Sequence, residues 1–375
     1  METQVYLIHH ITDREQVMPA IRFMADLSEI ATAKTAYKTV EAIYARHVKA
    51  NPPRPSRRIG ASMIGNPCDR YMWLSFRWAM IEAFDGRMLR LFETGHLAEP
   101  RFIAELENIG CNVYAHDPLT GQQYEFVAGD GHIVAKIDGV VENIPEARKT
   151  PHIVSFKTAS DKSFKGTASK GVVVDKPIHY AQMQVEMHLA ELDRALYLTV
   201  NKNTDELYAE RIDYDKNFAT KTIERAERII HLEQAPDTIG AIDKFPCKFC
   251  GLRTVCYGGE NAVSAGVNCR SCAHSTPVAG GDWRCELHEK ILDFDAQLRA
   301  CPRHKFHPDF ITFAKPIEGD LNRIAYQTHD GESFANGLGG FKSEELTRIP
   351  KEFVFDPLIA RVKLTMPDSS IEVAK

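Results

Sequence analysis

The spacing of apolar and polar positions changes several times along the chain, and each change marks a boundary. Residues 14–50 carry apolar positions at helical spacing among Ala, Glu, Lys and Met and stop at the breaker NPPRPS, which predicts an N-terminal helical segment followed by a short linker. Helical spacing resumes from about 59 to 109 and closes on the Gly of ENIG. The period then becomes that of strands. CNVYAHD, YEFVAGD, HIVAKIDGVVEN and HIVSFKTA are short β-branched runs separated by Gly, Asp and Pro, and they predict a meandering sheet. Residues 160–176, rich in Lys and Gly, read as a loop. HYAQMQVEMHLAEL then reads as a helix, ALYLTVNK and ELYAERIDYD as strands, and 215–233 as a further helix. The fold class expected is α/β, a sheet flanked by helices, with an N-terminal helical segment and a cysteine-bearing C-terminal edge.

Composition narrows the function classes. At 375 residues and 44% hydrophobic, the chain has material for two or three packed domains. Its formal net charge of −5 gives no global attraction to nucleic acid, so any such contact must come from local basic groups. No stretch approaches the roughly 20 apolar residues of a membrane span, and METQVYLIHHITDREQ lacks the order of a signal peptide. The expectation is a cytoplasmic protein.

In a reducing compartment, closely spaced cysteines read as metal ligands rather than disulfides, and an odd count of nine fits a complete disulfide set poorly. Cys247, Cys250 and Cys256 form a C-x2-C-x5-C run, and Cys68 lies far upstream in GNPCDRYMWLSF. Four thiolates so placed suit either a [4Fe–4S] cluster or zinc, and would staple the two ends of one domain together. A second set, Cys269-x2-Cys272-x12-Cys285-x2-His288, has the spacing of a small zinc module, with Cys301 or His304 as alternative fourth ligands. Trp283 and Arg284 beside it could stack on nucleic acid, but packing of the module's own core is the favoured reading. Cys111 reads as a small buried side chain.

Between the two jaws of the first set lie Gly95-His96, Glu99, Asp138-Gly139, Ser155-Phe156-Lys157 and Gln182. Hydrolysis of a phosphodiester needs an activated water and a counterweight to charge on the phosphate oxygens. Carboxylates holding Mg²⁺ or Mn²⁺, with a Lys nearby, meet both needs. Asp138 ends the strand HIVAKID and Lys157 lies near the end of HIVSFKTA, so neighbouring strands could bring them to one ion. His132 and His179 read as half-buried polar residues. The lysines of SDKSFKGTASKG, including Lys162 and Lys165, could lie along a phosphate backbone or be simply solvated.

In this order the residues resemble the RecB-type exonuclease branch of the PD-(D/E)XK nuclease superfamily, in particular its iron–sulfur members from phages and recombination systems. The resemblance covers roughly residues 59–258. It rests on the C-x-R motif Cys68-Asp69-Arg70, the F-x-x-G-H-x-x-E motif from Phe92 to Glu99, Asp138, the strand running to Lys157, the Gln182 helix and the closing cysteines. It implies a restriction-endonuclease-like core with a central mixed sheet, a [4Fe–4S] cluster on Cys68, Cys247, Cys250 and Cys256, and a metal held by His96 and Asp138. Lys157 would be the catalytic lysine, and Gln182 would orient the site or contact DNA. Arg70, Lys162 and Lys165 would contact DNA. The implied activity is a DNA exonuclease in recombination, replication or repair, acting on single- or double-stranded ends in a bacterial or phage-infected cell, with a recombination or helicase partner. The implied domains are a helical segment (1–58), the nuclease-like domain (59–258), a zinc module (265–310) and a tail of no assigned role (311–375).

Two positions depart from that pattern. Ser155 stands where the strand motif has Glu, and Glu186 stands where the helix motif has Tyr. Glu186 lies one helical turn after Gln182 and shares its face, so a carboxylate supplied from the helix could replace the one lost from the strand, as in a subset of type II restriction endonucleases. The competing reading is a decayed site on a DNA-binding scaffold. An electron-transfer iron–sulfur protein is a third, least favoured, reading.

Overall fold

The computed structural model describes residues 37–366 and 369–371. Of the N-terminal helix expected over 14–50, only α1 (Lys38–Ala50) falls within them, and the rest lies outside the described residues. The chain continues through β1 (Ile59–Gly60), α2 (Ala61–Ile64), α3 (Asp69–Phe76) and the long α4 (Gly86–Asn108). Asp85 caps α4 by accepting the Met88 N–H at 2.7 Å. Then come β2 (Asn112–Tyr114), β3 (Glu125–Ala128), β4 (Ile133–Lys136), β5 (Val140–Glu142) and β6 (His152–Ala159). A crossover of α5 (Asp161–Lys170), α6 (Val172–Asp175) and α7 (Pro177–Ala190) leads to β7 (Arg194–Asn201), β8 (Leu207–Asp213) and α8 (Lys216–Ile230).

The main sheet has the order β2-β5-β6-β7-β8, with β6 and β7 parallel and the other pairs antiparallel. Strand alternation divides its central residues between two helical layers. Val154, Phe156, Leu196 and Leu198 pack with Phe102 and Leu106 of α4. Ile153, Ala195 and Tyr197 pack with Met183 and Met187 of α7. Ser155 and Lys157 therefore share the strand face that looks at α7.

Two features differ from the sequence expectation. The strands do not form one meander: β1, β4 and β3 make a separate three-stranded sheet. The chain passes between the sheets at Asp138-Gly139, where Gly139 sits at φ 148° and a Cβ would meet Ala115 Cα at 3.0 Å. Residues 160–176 are helical rather than a loop. Phe164 and Thr167 bury one face of α5, and Thr167 Oγ1 donates to Asp175 Oδ2 at 2.9 Å. Gly166, which the sequence offers as a breaker, is the point of approach between the helices, since a Cβ there would meet Asp175 Oδ1 at 2.9 Å.

After α9 (Arg253–Tyr257), the cysteine-rich region forms an antiparallel sheet of β9 (Ser275–Val278), β10 (Asp282–Cys285) and β11 (Lys290–Leu292), followed by α10 (Phe294–Arg299). The stretch after 310 is folded too. It forms a second antiparallel sheet of β12 (Lys315–Gly319), β13 (Arg323–Gln327) and β14 (Ser333–Gly337), then α11 (Ser343–Leu346) and α12 (Pro357–Thr365). One hydrophobic core runs through all of this: Trp73 and Phe76 of α3 belong to the same buried cluster as Trp283, Phe306, Phe310, Tyr326 and Phe334. No helix among the described residues is long and apolar enough to cross a membrane.

Candidate active site and cysteine sets

Asp138 is fixed by its strand neighbour: Oδ2 accepts the Phe156 N–H at 2.8 Å, which holds the carboxylate beside β6. Lys157 follows one residue later on the face toward α7. From α7, Gln182 Nε2 donates to Glu186 Oε1 at 2.7 Å. Glu186 is 1% exposed. Burial pushes its carboxyl up to about 8, with the Asp138 charge acting in the same direction and the Gln182 hydrogen bond and Lys157 opposing. Glu186 thus feels both Asp138 and Lys157, so helix and strands contribute to one electrostatic cluster. Glu99 joins from α4. Burial and then Asp138 raise its carboxyl, while His96, Lys157 and His116 pull it down.

Ser155 is buried, and its hydroxyl has no hydrogen-bond partner among protein atoms; the same holds for Thr199 Oγ1, whose residue is paired in register with Lys157. Buried hydroxyls are nearly always bonded, so these two stand out as unpaired polar groups on the face toward α7. A cleft of about 460 Å³ adjoins this cluster at Lys157 and is lined also by His96, Glu99, Lys176 and Lys202, while Asp138 and Glu186 do not line it. A second cleft of about 820 Å³ shares His96 and Glu99 and continues past His116 toward Lys136. Gly95 lies against Thr158 along the first cleft, where a Cβ would still clear Thr158 Oγ1 by 4.0 Å.

His179 and Tyr197 line the same cleft, with His179 Nδ1 3.1 Å from the Tyr197 hydroxyl. Burial, then Lys157 and Lys176, hold the His179 imidazole down at about 4, so it is neutral near pH 7. Tyr197, His116, Lys176 and Lys202 were not singled out from the sequence, and none stands in a motif. Glu99 was legible as the end of F-x-x-G-H-x-x-E, but its proximity to Asp138 was not.

The other sequence candidates have varied settings. Arg70 Nη1 donates to the Pro236 carbonyl at 3.0 Å and its side chain bonds the Cys256 thiol, so it faces the cysteine staple. Lys162 and Lys165 lie exposed on α5, with Lys165 paired to Asp161 at 2.9 Å. His132 is buried, its Nε2 2.8 Å from the Val278 carbonyl. Trp283 is fully buried, with ring centroids 5.0 Å from Phe76, so it packs a core. Arg284 is exposed and reaches Glu286 at 3.4 Å.

Cys68 caps α3, its sulfur accepting the Tyr71 N–H at 3.3 Å. Burial raises the thiols of Cys250 and Cys256, and each feels Cys68 as a nearby negative charge; Cys250 also feels Cys247. The four cysteines of the first set are therefore neighbours. Those of the second set line a cavity of about 210 Å³ together with His288, Cys301 and His304. Among the described residues, no group of three or more His, Cys, Asp or Glu stands in an arrangement that could hold a metal ion as it is. By donor chemistry, the carboxylates of Asp138, Glu186 and Glu99 beside two orphaned hydroxyls fit a hard divalent cation, and the thiols of the first set fit a soft-metal centre.

No protein-family model matches the chain, and no curated protein matches it. Solved structures to which the chain is similar include that of SSO0001, with 15% identity and a TM-score of 0.37, covering 58% of this chain and 96% of that one. Another is an alkaline exonuclease, LHK-Exo, from Laribacter hongkongensis, with 15% identity and a TM-score of 0.34, covering 51% of this chain and 90% of that one. The same enzyme in complex with dAMP gives a TM-score of 0.31. Similarity at this level leaves the chemistry of the chain to its own residues.

Proposed function

We propose that the chain is a metal-dependent deoxyribonuclease, exonucleolytic, that hydrolyses DNA phosphodiesters in recombination, replication or repair. The observation that carries this reading is that Glu186 of α7 has both Asp138 and Lys157 as electrostatic neighbours, while the strand offers only Ser155. Asp138 and Glu186, with Glu99 and His96 at the cleft wall, would hold Mg²⁺ or Mn²⁺. When bound, the ion supplies Lewis acidity toward the phosphate and lowers the pKa of a coordinated water.

The chain's own groups do the rest. Lys157 Nζ neutralises charge on the phosphate and orients the nucleophile. Gln182 Nε2 fixes the orientation of the Glu186 carboxyl by donating to Oε1. Lys176 and Lys202 draw the phosphate backbone along the cleft without reading sequence. Cys68, Cys247, Cys250 and Cys256 would carry a [4Fe–4S] cluster that ties α3 to the 247–256 segment. Arg70, Lys162 and Lys165 are weaker DNA contacts in this reading, the first because its side chain is committed to Pro236 and Cys256. A helicase or recombination protein that delivers DNA ends is the partner class that fits.

A second reading, a DNA-binding scaffold with a decayed site, is favoured by Ser155 alone. End-labelled linear single- and double-stranded DNA, incubated with Mn²⁺ and then Mg²⁺ beside the Lys157→Ala variant, separates the two. Degradation lost in the variant supports the nuclease. Tight binding with no cleavage by the folded, unaltered chain overturns it.

A further inference from the structure

The second cysteine set lies away from the cleft and has no part in the chemistry above. Cys269 and Cys272 flank a single 3₁₀ turn in which Asn268 and Ser271 form a capping box. Three backbone N–H groups are aimed at their sulfurs: that of Ala300 at Cys269, and those of His274 and Lys305 at Cys272. Cys269 Sγ itself donates to the Ala296 carbonyl at 3.3 Å, so backbone groups fix the sulfurs from both sides. Cys269, Cys272, Cys285 and Cys301 all line one cavity of about 210 Å³.

The backbone singles out Cys301 among the possible fourth ligands. Ala300, just before it, is a non-glycine residue at φ 56°, a strained conformation that puts the Ala300 N–H on Cys269 and delivers Cys301 to the same cavity. His304 gives only its Nε2 to the turn, 3.0 Å from the Asn268 carbonyl and 3.2 Å from Ser271 Oγ. His288 Nε2 lies 3.6 Å from Cys301 Sγ, where it can donate to a thiolate. His274 bonds the Leu321 backbone, with Nε2 buried and unpartnered, and His304 Nδ1 is likewise buried and unpartnered, so His274 and His304 are the nitrogen competitors that a sulfur-only shell would exclude. The charge balance suits four thiolates: Lys305 faces Cys272, and Lys290 and Arg299 line the cavity.

We propose that Cys269, Cys272, Cys285 and Cys301 form a four-thiolate structural zinc site, with His288 hydrogen-bonded to the Cys301 sulfur rather than coordinated. The donors line the cavity without being closed into a ligand shell, so closure accompanies zinc binding, with the four thiol protons released to solvent. The site also positions the residue between its first two ligands. Arg270 is 1% exposed, donates to the Phe76 and Arg57 carbonyls at 3.1 and 3.0 Å, and lies 3.9 Å over the Trp78 ring. Zinc at this turn would hold Arg270 in the aromatic floor formed by α3 and its C-terminal end.

The test is zinc content and zinc-edge X-ray absorption on the anaerobically purified full chain, beside Cys301→Ser, His288→Gln, His274→Gln and Cys68→Ser. The expected result is a shell of four sulfurs at about 2.3 Å. One zinc per chain should be lost in Cys301→Ser and kept in the other three. A shell of three sulfurs and one nitrogen overturns the ligand assignment, as does zinc lost with His288 or His274. Absence of zinc, or zinc indifferent to Cys301→Ser, overturns the site. If Cys301→Ser fails to fold, the absorption spectrum of the unaltered chain and the two histidine variants still decide.

Discussion

Glu186 and Gln182 stand one turn apart on α7 and are joined by a 2.7 Å hydrogen bond beside the buried Met183 and Met187. A carboxyl buried there without a function would be a plain cost, since burial alone drives it toward the neutral form. Replacing it should therefore separate function from stability. Glu186→Gln is expected to lower Mn²⁺-dependent cleavage about 100-fold or more while the folded state is retained or strengthened. Cleavage kinetics and chemical denaturation of the same preparation check both halves.

The pH dependence follows from the same group. Its folded value of about 8 lies above its ordinary value of 4.5, so between these limits folding takes up a proton and stability falls as pH rises. The slope from this one group is at most about 1.4 kcal/mol per pH unit. Glu186→Gln lacks it, so its stability advantage over the unaltered chain should grow from about pH 5 to about pH 9. Melting temperatures across that range, in chelator, would show a constant gap if Glu186 were exposed instead.

Lys157 touches the site from β6 and is not needed to fill the core. Lys157→Ala is expected to abolish cleavage by about 100- to 1,000-fold with little change in stability. Asp138→Asn should do the same while keeping the hydrogen bond from the Phe156 N–H, since an amide oxygen still accepts it. Loss of folding in Asp138→Asn would show that the carboxylate is structural.

Lys202 is exposed on the cleft wall. Its removal should weaken DNA binding uniformly across sequences and reduce the magnitude of the salt slope by about 0.7–0.9, the amount expected for one phosphate contact. Fluorescence titrations at several salt concentrations read this directly, and an unchanged slope would place the backbone elsewhere.

Arg270 is buried against three aromatic rings and donates to two backbone carbonyls and to Gln297 Oε1. Arg270→Met keeps the volume but leaves those acceptors bare, each worth about 1–3 kcal/mol. A loss of at least about 3 kcal/mol in denaturant unfolding is expected. A change below about 1 kcal/mol would show that the rings alone hold the contact.

Much of this arrangement was legible in residue spacing. Period two on the strand puts Ser155 and Lys157 together, and period 3.6 on the helix puts Gln182 and Glu186 together. What spacing could not give is which helix covers which strand face, and so Tyr197 was missed, as was its pairing with His179, which the sequence offered only as a half-buried polar residue. The lysines of 160–170 read as a loop because Gly166 looks like a breaker, when its role is to admit Asp175 from the next helix. The sheet formed by β12, β13 and β14 went unread because its alternation is short and its outer strand β12 is exposed throughout.

The buried cluster that links Trp73 and Phe76 to Trp283, Phe306 and Phe310 has a consequence for how the chain can be divided. The cysteine-rich region looks in sequence like an appendage that could be gained or shed. Its aromatic residues instead complete the floor beneath α3, the same helix that begins at Cys68. A chain ending near 258 would leave that floor open to water and weaken the anchorage of the first cysteine set. The half that carries the cleft and the cysteine-rich half are therefore expected to melt as one cooperative body, so damage to either set of thiols by oxidation would be felt in both.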